Sequence, residues 1–213
     1  MDIVFERKKL GSAEIIVCLM ILLSSTINYS VLGFELWDSL AISIAYTMSI
    51  VFGSMYVVKT SKLNKLAVNI GGFVAPLIYS LSTLFIIHVA TCIEVYKTII
   101  LLIVLSIIFY YTSIHIVGYG IGLSVIPTSL LISSSTIIVF HNIGNPLVCI
   151  PLSSSIGYLS IIIGVDVIKT IHVSLKRKIE FILGGAGVSD IVVITGSLTP
   201  IITLLLIEIT FML

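Results

Sequence analysis

The sequence predicts an all-α, polytopic integral membrane protein, and three observations carry that prediction. Hydrophobic residues make up 58% of the chain and charged residues only 10%, whereas a soluble domain carries about 25% charged residues. The charges are clustered, leaving apolar stretches of about 20 residues, long enough to cross a ~30 Å hydrocarbon core as helices. Those stretches are continuous runs of Ile, Leu and Val, while the strands of a membrane barrel alternate over about ten residues.

Seven spans follow along the chain. The first, 13–33, comes after Arg7, Lys8 and Lys9. Its apolar run is long and no A-x-A-like cleavage site follows it, so a retained first helix is expected rather than a signal peptide. The second covers 37–58 and stops at Lys59. The third, 66–91, opens on Asn69-Ile70-Gly71-Gly72 with Pro76 close behind. The fourth, 98–114, is the shortest and ends at a break over Ile114–Tyr119. The fifth, 119–140, opens on Gly118, Gly120, Gly122 and Pro127. The sixth, 147–168, carries Pro146, Pro151, Ser153-Ser154-Ser155, Gly157 and Gly164. The seventh covers 183–211. The connections are short, so residues 1–213 are expected to form a single transmembrane domain.

The basic residues orient this domain. With a cytoplasmic N-terminus, the inside segments are 1–12, 59–65, about 115–118 and 169–182. They hold Arg7, Lys8, Lys9, Lys59, Lys62, Lys65, Lys169, Lys176, Arg177 and Lys178, ten of the eleven lysines and arginines. Only Lys97 falls outside, and loops this short follow the positive-inside rule. A multi-pass protein of the cell membrane is expected.

Composition and spacing exclude several functions. A net charge of +1 gives no basis for nucleic-acid binding. Cys18, Cys92 and Cys149 are odd in number and lie in or beside apolar spans, so they read as small core residues. His88, His115, His141 and His172 have no metal-ligand spacing, so neither a metal nor a cofactor is expected. Gly118-x-Gly120-x-Gly122 is not expected to be a nucleotide loop, because no strand is expected before it and a soluble context is missing. The serines and threonines of the spans are expected to bond along or between helices.

Asp166 and Asp190 are the residues that suggest chemistry. An acid within a span costs about 2.5–3.5 kcal/mol at a helix centre on insertion scales, less near an end. Asp166 ends the sixth span in Gly164-Val165-Asp166. Asp190 follows Gly184-Gly185-Ala186-Gly187 at the start of the seventh, and one basic loop joins the two spans. Antiparallel neighbours then place both acids near the cytoplasmic face. Two carboxylates in one site cannot both ionise easily, so one keeps its proton. That arrangement suits an aspartyl peptidase, in which one acid activates water and the other polarises the peptide carbonyl. The structural alternative has Asp166 paired with Lys169 or Lys176, and Asp190 capping the helix that follows it. The residues expected to line the site or pack its helices are Asn69, Gly71, Gly72, Pro76, Gly164, Gly184, Gly185 and Gly187, since small residues let backbones approach closely in lipid.

Asn69-Ile70-Gly71-Gly72-Phe73-Val74-Ala75-Pro76, Gly118-Tyr119-Gly120-Ile121-Gly122 through Pro127, Ile163-Gly164-Val165-Asp166, and Gly184 to Asp190 through Thr195-Gly196 together resemble a prokaryotic membrane-protein family. That family is known only as domain of unknown function 1614. The resemblance covers roughly residues 65–205, with Val188-Ser189 in place of an expected Thr-Phe. It implies a fold and no activity. A weaker resemblance is to the intramembrane aspartyl proteases of the presenilin and preflagellin-peptidase type, which set one aspartate on a descending helix and the other in Gly-x-Gly-Asp on the next. It implies Asp166 and Asp190 as catalytic residues and a membrane-protein or peptide substrate. The sequence departs from that pattern in two ways. Asp190 follows Gly187 by three residues rather than directly, a rotation of about 200° on a helix. No Pro-Ala-Leu motif follows; Leu198-Thr199-Pro200 and Ala75-Pro76-Leu77 are partial stand-ins. Two further readings stand beside the peptidase: a small transporter or channel moving a cation or proton past the same acids, and a non-catalytic membrane scaffold.

Overall fold

The apolar runs form the expected helices, but several of them start or stop in short strands. The computed structural model describes residues 2–5, 11–59, 66–116, 120–177, 181–185 and 187–212. In chain order these are β1 (Asp2–Phe5), α1 (Ser12–Val31), α2 (Leu36–Gly53), β2 (Tyr56–Lys59), β3 (Leu66–Asn69), a wide π turn at Ile70–Val74 that leads into α3 (Ala75–Thr91), and α4 (Val95–Thr112). Then come β4 (Ile114–Ile116), β5 (Gly120–Gly122), α5 (Val125–Val139) and α6 (Cys149–Ile161). A π-helical stretch at Ile162–Lys169 runs from α6 into α7 (Thr170–Arg177), followed by β6 (Phe181–Leu183) and α8 (Ile191–Met212). Among the described residues six segments are long and apolar enough to cross a membrane: Ser12–Val31, Leu36–Gly53, Ile70–Thr91, Val95–Thr112, Pro146–Val173 and Ile191–Thr210. The remaining apolar helix, α5, is shorter. The fold is all-α and polytopic.

The middle of the bundle is α6. Within an apolar 18-residue window of the Pro146–Val173 segment 94% of the residues are buried inside the protein, against 28–50% in such windows of the other long spans. Residues 148–162 are buried without interruption, with α1, α3, α4, α5 and α8 packed around them. Its sequence explains this place. Serines and glycine replace bulk along α6, so neighbouring backbones come close and hydroxyls bridge the gaps. Ser153 Oγ meets Thr203 Oγ1 at 2.7 Å, Thr203 Oγ1 donates to Ser133 Oγ at 2.9 Å, and Tyr158 Oη meets Ser197 Oγ at 3.0 Å. Pro200 inside α8 cannot donate to the carbonyl four residues back, and Ser154 Oγ donates to that orphan, Gly196 O, at 3.1 Å. The serines and threonines bond along and between helices as expected.

Span limits shift at the end of the bundle that the basic residues assign to the inside. Residues 66–69 pair as a strand instead of opening a helix, α2 stops at Gly53 rather than 58, α5 starts at Val125 rather than 119, and α8 starts at Ile191 rather than 183. The cause is common to all four: a short run of apolar residues has the same hydropathy in a strand as in a helix. The strands form a sheet in the order β1-β2-β3-β6, antiparallel except for the parallel β3–β6 pair, and β4 pairs with β5. Every one of these strands lies in or beside a segment that the basic residues assign to the inside. The sheet thus gathers the inner loops and satisfies their backbone groups beyond the helices. At the opposite end, Lys97 is paired with Glu94 at 2.6 Å. The hydrogen bond from Lys97 holds the Glu94 carboxyl below its ordinary range, so Lys97 is neutralised locally.

Candidate functional site

Three backbones cross at the inner end of the bundle, and glycine makes each crossing possible. Asn69 ends β3 and caps the turn after it: its Oδ1 accepts from the Gly72 N–H at 2.9 Å, and its Nδ2 donates to Ser54 O at 3.0 Å beyond the end of α2. A Cβ on Gly71 would strike Ile50 O and Ser54 N. On Gly72 it would strike Gly184 O and stand 2.9 Å from Gly184 C; on Gly184 it would stand 2.5 Å from Gly72 C and 2.6 Å from Phe73 N. Gly187, with φ of +62°, would set its Cβ 2.6 Å from Ser54 Cβ. Gly184 also has positive φ, +64°, a conformation glycine adopts without cost. Gly185 meets only its own turn, near Ile182. Pro76 is buried in the first turn of α3, where its missing N–H costs nothing.

This crossing holds the loop before α8 against the third span, beside Asp166. Asp166 lies in the π-helical stretch that continues α6, a distortion frequent at functional positions. Two residues earlier, Gly164 lets that stretch press onto α4, where a Cβ would meet Ser106 O. The Asp166 side chain is 8% exposed and Asp190 7%. The backbone N–H of Gly184 lies beside the Asp166 carboxylate, and Asp190 is within electrostatic range of it. Asp190 Oδ1 accepts the Val192 N–H at 2.9 Å, and Asp190 O accepts the Ile194 N–H at 2.9 Å, so this acid caps α8. Asp166 Oδ2 is buried and, among the described residues, has no hydrogen-bond partner.

The pairing of Asp166 with Lys169 does not form. Lys169 Nζ donates instead to Tyr110 O at 2.9 Å and sits 4.9 Å over the Tyr110 ring, where it caps the C-terminal end of α4. Tyr110 Oη in turn meets His172 Nδ1 at 3.2 Å. The Lys176 side chain lies outside the described residues. Asp166, Asp190, Gly72 and Gly184 therefore come together, with Asn69, Gly71 and Gly187 one contact away. Gly164 supports the site from the α4 side. Among the described residues no cluster of three or more metal-ligating side chains occurs.

A family model described as Protein of unknown function (DUF1614) matches residues 22–205. The chain belongs to this family. The match contains every residue of the inner-end site, from Asn69 to Asp190, and all the strands except β1. No curated protein and no solved structure matches the chain.

Sequence reading missed a second polar cluster within the family match. Tyr29, Tyr46, Tyr79 and Tyr158 come from α1, α2, α3 and α6. Tyr46 and Tyr79 stack at 4.1 Å between ring centroids, Tyr158 stands edge-on to both, and Asn28 Nδ2 donates to Tyr79 Oη at 2.8 Å. Tyr46, Tyr79 and Tyr158 stand in the middle of three spans, a signal the sequence carries, since interfacial tyrosines concentrate at span ends.

Proposed function

We propose that the protein is an intramembrane aspartyl peptidase-like protein that uses Asp166 and Asp190 as one site. The observation that carries this reading is Asp166 Oδ2: a buried carboxylate oxygen without a hydrogen bond among the described residues, within electrostatic range of a second acid, while Lys169 is turned to Tyr110. A buried acid left this way costs free energy, and perturbed acids set together are the mark of a catalytic pair.

In this reading the two acids share one proton. Asp190 sits at the N-terminal end of α8, where the helix dipole and the Val192 N–H favour negative charge, and it takes the proton of the attacking water. The water oxygen adds to the peptide carbonyl carbon, Asp166 polarises the carbonyl oxygen, and collapse of the tetrahedral adduct breaks the C–N bond as the amine gains a proton. β6, an edge strand among the described residues, leads directly to Gly184. An extended peptide laid along it would bring its backbone to the acids.

Transport of a proton or cation through the same acids is the second reading; between them and the Tyr158–Ser197 contact, α6 and α8 bury Ile161, Ile162, Val165, Val192 and Val193 beside Ser160 and Thr195. The test is binding of a peptide isostere whose hydroxyl mimics the tetrahedral adduct. It should raise the melting temperature of the purified protein and leave Asp166→Asn unmoved. Equal shifts in both proteins, or none in either, would remove the peptidase reading.

A further inference from the structure

We infer that Lys169 and His172 hold the phosphate of an anionic phospholipid at the corner where α7 leaves the bundle beside α4. The inference does not depend on the two acids being catalytic.

The chain sets a cation into an apolar, outward-facing surface at this corner. Ile168 and Ile171 flank Lys169 and are 45% and 41% exposed; on α4, against which the π-helical stretch packs, Ile107 and Tyr111 are 51% and 76% exposed. Apolar side chains turned outward from membrane spans meet acyl chains. Lys169 is half-buried among them, and a lysine at a span end carries its ammonium to the headgroup level. The basic residues gather at this end of the bundle, so the headgroups it meets are those of the inner leaflet.

Tyr110 arranges the donors. Lys169 Nζ gives one N–H to Tyr110 O at 2.9 Å and sits 4.9 Å over its ring, which leaves two N–H groups of the ammonium to give. His172 is exposed, and its Nδ1 lies 3.2 Å from Tyr110 Oη. When the hydroxyl donates this bond, the imidazole proton stands on Nε2 as a further outward donor. Lys169 and His172 are three residues apart on one continuous helical path and so are neighbours on its surface.

These donors call for an anion, and the apolar residues beside them call for acyl chains. An anionic phospholipid supplies both, whereas a zwitterionic one brings an ammonium that Lys169 repels. Asp166, one turn before Lys169, is 8% exposed and lies against Gly184 inside the bundle, so it does not neutralise the corner. Beyond His172 the sequence adds Lys176, Arg177 and Lys178 against the single Glu180, which strengthens the attraction for anionic lipid.

The experiment is native mass spectrometry of the full chain in a neutral detergent, titrated with phosphatidylglycerol or with phosphatidylcholine of the same acyl chains. Phosphatidylglycerol should bind several-fold more tightly. A lysine beside anionic lipid is worth about fivefold in binding, so Lys169→Gln should remove most of that preference and leave phosphatidylcholine binding alone. Tyr110→Phe and His172→Ala keep the α4 carbonyl for Lys169 and should each weaken phosphatidylglycerol by a smaller factor, so the test does not rest on one variant. Lys62→Gln takes the same charge from another inner loop and should change little. Equal binding of the two lipids by the native protein would overturn the inference, as would equal losses in Lys62→Gln and Lys169→Gln. Displacement of phosphatidylglycerol by excess inorganic phosphate would assign the donors to a free anion and overturn it too.

Discussion

The bond between Ser154 and Gly196 fixes how α6 sits on α8, and with it how Asp166 faces Asp190. Pro200 denies Gly196 O its helical donor, and Ser154 Oγ replaces it at 3.1 Å where both residues are buried. Ser154→Ala removes this donor. Helix–helix hydrogen bonds in membranes average about 0.6 kcal/mol, with a maximum near 1.7, because the separated helices usually find other partners. Pro200 removes the usual helical donor of this carbonyl, and an unsatisfied buried acceptor costs about 1–3 kcal/mol. The upper end of the membrane range, about 1.5 kcal/mol, is therefore expected. In a Pro200→Ala background residue 200 regains its N–H and can serve Gly196 O itself, so the same serine change should cost no more than about 0.5 kcal/mol. The two costs imply a coupling of about 1 kcal/mol, which a double-mutant cycle resolves. Reversible unfolding in mixed micelles, followed by tryptophan fluorescence of the single Trp37 or by steric trapping, supplies all four stabilities. Equal costs of Ser154→Ala in the two backgrounds would refute the argument.

Three further outcomes follow from the same geometry. Gly72→Ala forces a methyl into Gly184 and should cost about 1–3 kcal/mol as overpacking does, while Gly144→Ala, with nothing within 4 Å, should stay within about 0.5 kcal/mol of native; melting curves of the two variants side by side check this. Asp190→Asn keeps the cap on Val192 and should match native stability closely, whereas Asp190→Ala should lose about 1 kcal/mol; similar losses in both would remove the capping role. Reporter fusions at residues 62, 97, 143 and 175 should read inside, outside, outside and inside, and an inside position for 97 would break the topology.

Much of the fold was legible because lipid restricts what a chain can do. Long apolar runs must become helices, and ten lysines and arginines on one side orient them. The strands were not legible. Leu66-Ala67-Val68 and Phe181-Ile182-Leu183 are as apolar as the helices they adjoin, and their parallel pairing across more than a hundred residues leaves no local mark. At the site, the glycines announced a close approach but not its partners. That Gly72 meets Gly184, and Gly71 the end of α2, depends on the sheet the sequence did not reveal. Asp190 was readable both as cap and as acid, and its geometry supports the first directly. Lys169, one of two lysines that the structural alternative would pair with Asp166, is held instead by a carbonyl and an aromatic face at the end of α4.

Cleavage tests the central proposal most directly. The purified protein in liposomes, given single-span reporter peptides and analysed by mass spectrometry, should hydrolyse a peptide bond near the inner end of the span. Asp166→Asn and Asp190→Asn should each abolish the products while both proteins retain native melting behaviour. Products that persist in either variant, or a folded native protein that cuts no reporter under any of these conditions, would contradict a shared catalytic site.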